Sequence, residues 1–227
     1  MALTHVCCFS EFSALFPIFE LFIPSSDEFL SLLISEVLDE KFISSVHLPL
    51  ISAWGHTATL AHLFQQSTNI TADDAGSALI SASEKGYMSM IEMLLQRRTD
   101  IPSKNFGWAL RYAAKNGHCF IVEMFLQLPI DISVEFAGWA LRYAAKYSHS
   151  SIVEILLQNR ADIFSGYAGW ALIYASKNGH DSIVKTIVQH RENSNAEIAD
   201  STLSKESKLG HSYIAALISK YNNITLN

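Results

Sequence analysis

A chain of 227 residues, 49% apolar and 17% charged, is long enough to bury a core and too apolar to be disordered. Ten glycines and five prolines exclude collagen-like and low-complexity classes; three cysteines, with Cys7 and Cys8 vicinal, exclude a disulfide framework and suit a reducing, cytoplasmic compartment. The net charge of −6 is uneven: residues 1–75 hold nine acids against Lys41 alone, a net of −8, whereas residues 76–227 hold thirteen acids and fifteen bases, a net of +2. An anionic partner would therefore favour the later part of the chain.

The first segment, Phe12 to Pro24, is apolar but is broken by Pro17 and Glu20. It is too short to cross a bilayer and lacks the basic start of a secretory signal, so no membrane insertion is expected. Ser25 and Glu28 stand at capping-box spacing, and Phe29, Leu32 and Leu33 follow at helical spacing. Residues 1–44 are therefore expected to form a helical N-terminal cap.

From residue 45 onward one period organises the chain. A step of 31 residues links Gly76, Gly107, Gly138 and Gly169, and also Leu79, Leu110, Leu141, Leu172 and Leu203. It links Trp108, Trp139 and Trp170, and His118, His149, His180 and His211. Segments 107–137 and 138–168 share 18 of 31 residues. The array therefore divides into 45–75 (degenerate), 76–106, 107–137, 138–168 and 169–199. Residues 200–227 keep Leu203, Gly210 and His211 but put Glu206 and Ser207 where Ala175 and Ser176 stood. A polar outer face of that kind suits a C-terminal capping repeat.

Each unit reads as helix, tight turn, helix, loop. In 107–137, Ala109 to Lys115 is rich in strong helix formers, and Asn116-Gly117 ends that helix. Ile121, Val122, Phe125 and Leu126 trace a second amphipathic helix, and Ile130-Asp131-Ile132 leaves it as an extended segment. The spacing predicts helices near 109–116 and 119–128. The small pairs Ala113-Ala114, Ala144-Ala145 and Ala175-Ser176 let neighbouring helices approach closely. One unit cannot bury its apolar face alone, so stacking is obligatory.

The run "ALRYAAKNGH…IVEMFLQ…IDI" resembles the ankyrin repeat in its Ala-Ala, Gly-His, Val and Leu positions. The resemblance covers residues 76–227 in register and implies an all-α, ankyrin-type helical solenoid. Two departures stand out. Trp-Ala-Leu-Arg (Trp108 to Arg111) or Trp-Ala-Leu-Ile (Trp170 to Ile173) replaces the family's Thr-Pro-Leu-His, and the period is 31 rather than 33. The two missing residues fall between Asp131 and Leu141, where the family projects a β-hairpin finger, so the fingers are expected to shrink to short loops. This short-fingered variant is similar to ankyrin repeats of giant viruses and of amoeba-associated intracellular bacteria of the Legionella type. In those bacteria such proteins often act as effectors delivered into a host cell.

The candidate binding residues follow from the repeat columns. Lys115, Lys146, Lys177 and Lys208 form a ladder, with Arg111 and Arg142 one turn earlier and Asn116, Tyr147 and Asn178 beside it. The resemblance implies that this ladder lies on the concave side, where ankyrin arrays hold partner proteins. Such a lane suits an acidic segment of a host protein or, alternatively, a phosphate-bearing ligand such as a phosphoinositide or a phosphoprotein. Trp108, Trp139 and Trp170 form either a packed aromatic rung or an exposed stripe. The histidine column cannot converge on one metal ion, because adjacent units are roughly 10 Å apart and zinc needs ligands about 2 Å from one centre. A turn whose imidazole bonds local backbone is expected there instead.

No P-loop, GxGxxG, HExxH or GxSxG pattern occurs, and residues 1–44 are too few for an independent catalytic fold. The chain thus reads as a non-catalytic protein-interaction module with no cofactor and no metal. The acidic N-terminal part and the lack of an aromatic-basic motif argue against nucleic acid.

Overall fold

The computed structural model describes residues 47–55, 57–66 and 70–194. The expected caps at 1–44 and 200–227 lie outside these residues, as do Lys208 and His211. Five helix pairs follow one another: α1 (His47–Trp54) and α2 (Thr57–Gln66), α3 (Ala72–Lys85) and α4 (Met88–Arg97), α5 (Ser103–Asn116) and α6 (Cys119–Gln127), α7 (Val134–Lys146) and α8 (Ser150–Asn159), and α9 (Phe164–Lys177) and α10 (Asp181–Ser194). A 3₁₀ turn, Ala161–Ile163, precedes α9. No strand occurs among the described residues, so the segments joining α4 to α5, α6 to α7 and α8 to α9 form no β-hairpin.

First helices pack on first helices, α1 on α3, α3 on α5, α5 on α7 and α7 on α9, and second helices form a looser layer beside them. The repeat columns explain the stacking. Leu79, Leu110, Leu141 and Leu172 are wholly buried, as are Ala113, Ala114, Ala144 and Ala145. From the second helices, Ile91, Val122, Val153 and Val184 close the same core. Within one pair, Phe106 of α5 meets Phe125 of α6 edge-on at 5.8 Å.

The first helices begin earlier than the sequence suggested. α5 starts at Ser103, after Pro102 at the cap position, and not at Ala109. Gly107 and Trp108 therefore lie inside the helix. Glycine there costs about 1 kcal/mol in helix propensity. It is tolerated because Phe136, from the first turn of α7, packs against it and would overlap any Cβ. Tyr167 sits in the same way on Gly138 and Asn105 on Gly76. The residues that would have built a finger have become the opening turn of the next first helix, and that turn packs on its predecessor.

Candidate functional site

The turn between helices fixes how each repeat sits on the one before. Gly86 and Gly117 adopt φ of 84° and 83°, the left-handed conformation that glycine tolerates best. Their missing side chains also leave room for the imidazoles of His118 and His149, which would lie 2.6 and 2.7 Å from an added Cβ. Each imidazole then reaches a carbonyl of the preceding repeat. Nε2 of His118 bonds Glu84 O, that of His149 bonds Lys115 O and that of His180 bonds Lys146 O, all at 3.0 Å. A carbonyl only accepts, so Nε2 carries the proton. The expectation of a bond to local backbone is thus corrected: the acceptor belongs to the neighbouring repeat, and the histidine is an inter-repeat staple. Among the described residues, no group of three or more His, Cys, Asp or Glu could hold a metal ion.

Beside these staples, the first helices present one continuous side-chain stack. Trp108, Arg111, Tyr112 and Lys115 fall at i, i+3, i+4 and i+7, so they share one helix face. The same pattern recurs as Trp139, Arg142, Tyr143 and Lys146, and then as Trp170, Ile173, Tyr174 and Lys177. The guanidinium carbon of Arg111 lies 4.8 Å from the Trp108 ring centre, 4.9 Å from Tyr143 and 5.4 Å from both Tyr112 and Trp139. It is clamped between two repeats. Its Nη2 donates to the Tyr143 hydroxyl at 3.0 Å.

Arg142 repeats the arrangement one step on. It lies 4.6 Å from Tyr174, 5.6 Å from Trp170 and 5.9 Å from Tyr143, and donates to the Tyr174 hydroxyl at 2.7 Å. The Nε of each arginine is buried among the rings without a hydrogen-bond acceptor. A guanidinium can stand this because the negative ring faces offset part of the lost hydration, at about 1–2 kcal/mol per well-desolvated contact.

Trp108 and Trp139 stand 5.8 Å apart, tilted at 44°, and Phe136 fills the gap between them at 5.3 and 5.4 Å. The tryptophans are half-buried and form a packed rung whose outer edge remains open. The tryptophan and arginine columns together form one surface.

The lysines edge this stack. Lys115 Nζ lies 5.9 Å from the Tyr112 ring, and Lys146 Nζ lies 5.1 Å from Tyr147 and 5.9 Å from Tyr174. Lys177 is exposed. Tyr147 is 43% exposed and stacks on Tyr143 at 6.4 Å. The hydrogen bond from Arg111, together with the charges of Arg111, Arg142 and Lys146, outweighs burial and lowers the pKa of the Tyr143 phenol.

Asn116 and Asn178 have duties within the fold. Asn116 Nδ2 donates to Glu84 O at 2.8 Å, and Asn178 Nδ2 to Tyr174 O at 2.8 Å and to Lys146 O at 3.4 Å. Both amides cap helix ends next to the histidine staples.

The acids of these repeats stand away from the lysine column. Glu123 and Glu154 belong to the second helices, Asp131 to a loop and Asp162 to the 3₁₀ turn before α9. Asp162 is held bidentately by Arg160, which lowers the pKa of its carboxyl. Glu135 lies in the first turn of α7, at the opposite end from Lys146, and accepts a hydrogen bond from Ser133 at 2.9 Å. The tyrosine column 112, 143 and 174 was not singled out in the sequence, although it follows the same step of 31.

Paired helices, a glycine turn and stacking first helices over one core agree with the comparison with known families. The family model for ankyrin repeats, in three copies, matches residues 48–136 and 136–200. The chain belongs to the ankyrin-repeat family. No curated protein matches it. Ankyrin repeats are generally protein–protein interaction modules, and the family is typically non-catalytic. Among the described residues, no helix of this ankyrin array is long and apolar enough to cross a membrane.

Proposed function

We propose that this ankyrin array is a non-catalytic module that binds a partner protein through the open face of its first helices, centred on α5, α7 and α9. The observation that carries this reading is the arginine–aromatic stack. Trp108, Trp139, Arg111 and Arg142 are half-buried and packed against one another across repeats, which limits the side-chain entropy lost when a partner covers them. Tryptophan, tyrosine and arginine are also the residues that dominate interface energetics. Lys115, Lys146 and Lys177 border the stack on three successive repeats with no acid between them in that column, which favours an acidic segment of the partner.

The test begins with proximity labelling in the natural host cell to identify the partner, followed by titration. Changing Lys115, Lys146 and Lys177 together to Glu should abolish binding while the circular dichroism spectrum stays unchanged. Undiminished affinity would move the binding face elsewhere.

The lysine column also supports a second reading, a phosphate-bearing ligand. Phosphate binding would weaken steeply with salt, and a largely hydrophobic interface would not. The similarity to short-fingered repeats supports a setting as a host-directed effector working in host cytoplasm. A translocation reporter fused to the chain, read inside the host cell, tests that setting.

A further inference from the structure

We infer that the natural occupant of this face is an extended acidic segment carrying one carboxylate at every third residue, in register with the repeats. The inference rests on the proposed binding face and adds the spacing and the conformation of what lies on it.

The spacing follows from the array. Equivalent cations on successive first helices, Lys115, Lys146 and Lys177, are separated by the interaxial distance of packed helices, about 8–10 Å. One turn of polyproline II covers about 9 Å with three residues, which puts i, i+3 and i+6 on one face, whereas a β-strand would turn i+3 to the opposite face. A carboxylate at positions i, i+3 and i+6 of such a segment would therefore meet one lysine per repeat.

The lane also has a width. The arginine and lysine columns lie on one helix face at positions four apart, one turn or about 5–6 Å. That spacing is about the width of one extended chain, so a single such chain laid across the first helices touches both columns.

The anchors have different stiffness. Arg111 and Arg142 are fixed by rings and by one phenol hydrogen bond each, and no hydrogen bond from Nη1 of either occupies another acceptor among the described residues. Nη1 of each is the donor left uncovered and is held in place, Nε being buried among the rings, whereas the lysines adapt. The lane has a definite start as well. In the preceding repeat Ile80 and Glu84 occupy the arginine and lysine columns, so an acid carried past Lys115 in that direction would meet Glu84.

Fluorescence anisotropy on the full-length chain tests this with three labelled peptides of equal charge. One carries glutamates at every third position in a Gly/Ser/Thr background. The second has the same composition with its three glutamates consecutive. The third is helix-forming, with glutamates at i and i+7 and one further glutamate on the same face. The first should bind at least tenfold more tightly than the others, and Lys146→Gln should remove most of that preference.

Equal binding of the first two would leave the basic lane standing as a charged surface and overturn the register. Preference for the helical peptide would overturn the extended occupant. If no acidic peptide binds, the inference fails; the triple lysine variant tested on the identified partner then shows whether the face fails with it.

Discussion

The α3–α4 and α5–α6 repeats share a skeleton and differ in what they show. Both bury the same columns, Leu79 with Leu110 and Ala82 with Ala113, and both end the first helix in a left-handed glycine that faces the next repeat's histidine. Outwardly, Trp108, Arg111, Tyr112 and Lys115 replace Ser77, Ile80, Ser81 and Glu84. The serines turn back on their own helix, Ser77 to Asp73 O at 2.9 Å and Ser81 to Ser77 O at 3.1 Å, and so offer little to a partner. Stacking constrains one set of columns and leaves the other free, and the arginine–aromatic surface occupies the free set.

The largest expected effect breaks the shared skeleton. Ala144 is wholly buried between first helices, so Ala144→Glu should cost on the order of 3–5 kcal/mol. Because array stability resides in interfaces between neighbours, the flanking repeats should weaken too. A urea midpoint within error of the parent would mean that this position is not buried.

A middle-sized effect separates the two tasks of the turn glycine. Gly117 and Gly179 both have positive φ, of 83° and 71°, so alanine is strained at either. Among the described residues, only Gly117 of the two has a staple histidine against it, and none lies within 4 Å of a Cβ at Gly179. Gly117→Ala should therefore cost about 1 kcal/mol more than Gly179→Ala, the value of a displaced hydrogen bond. Equal losses in thermal or urea melts would assign the whole role to backbone conformation.

The smallest effect converts one repeat's face into the other's. Arg111→Ile copies Ile80 into the second repeat. The hydrogen bond that lowers the Tyr143 pKa disappears with it, so the phenol should titrate at higher pH in the variant. Ultraviolet difference titration of the tyrosines reads this directly. An unmoved titration would mean that Arg111 does not hold Tyr143 in solution. The stability loss should be about 1 kcal/mol, since one hydrogen bond and the cation–π contacts go while the aromatic rung stays.

The repeat period made the helical pairing and the core columns legible, because buried Leu and Ala positions recur wherever helices must touch. The start of α5 was misread for a physical reason. Gly107 argues locally against helix, and only the ring of Phe136, from the next repeat, explains why it is there. The histidine column was read correctly as a turn element and wrongly as a local one, since its acceptor lies 34 residues away in sequence. The Lys, Arg and Trp columns were each visible. Their union into one surface was not, because it depends on Arg111 reaching across to Trp139 and Tyr143.

The histidine staples give the array a mechanical order. His149 grips the carbonyl of Lys115 and His180 that of Lys146, so two anchors of the basic lane are held from behind by the following repeat. Tension applied at the C-terminal end would release 31 residues at a time, roughly 100 Å of chain per step. Each release would free one lysine's backbone. A segment lying across several lysines would resist that peeling, as stitches do along a seam.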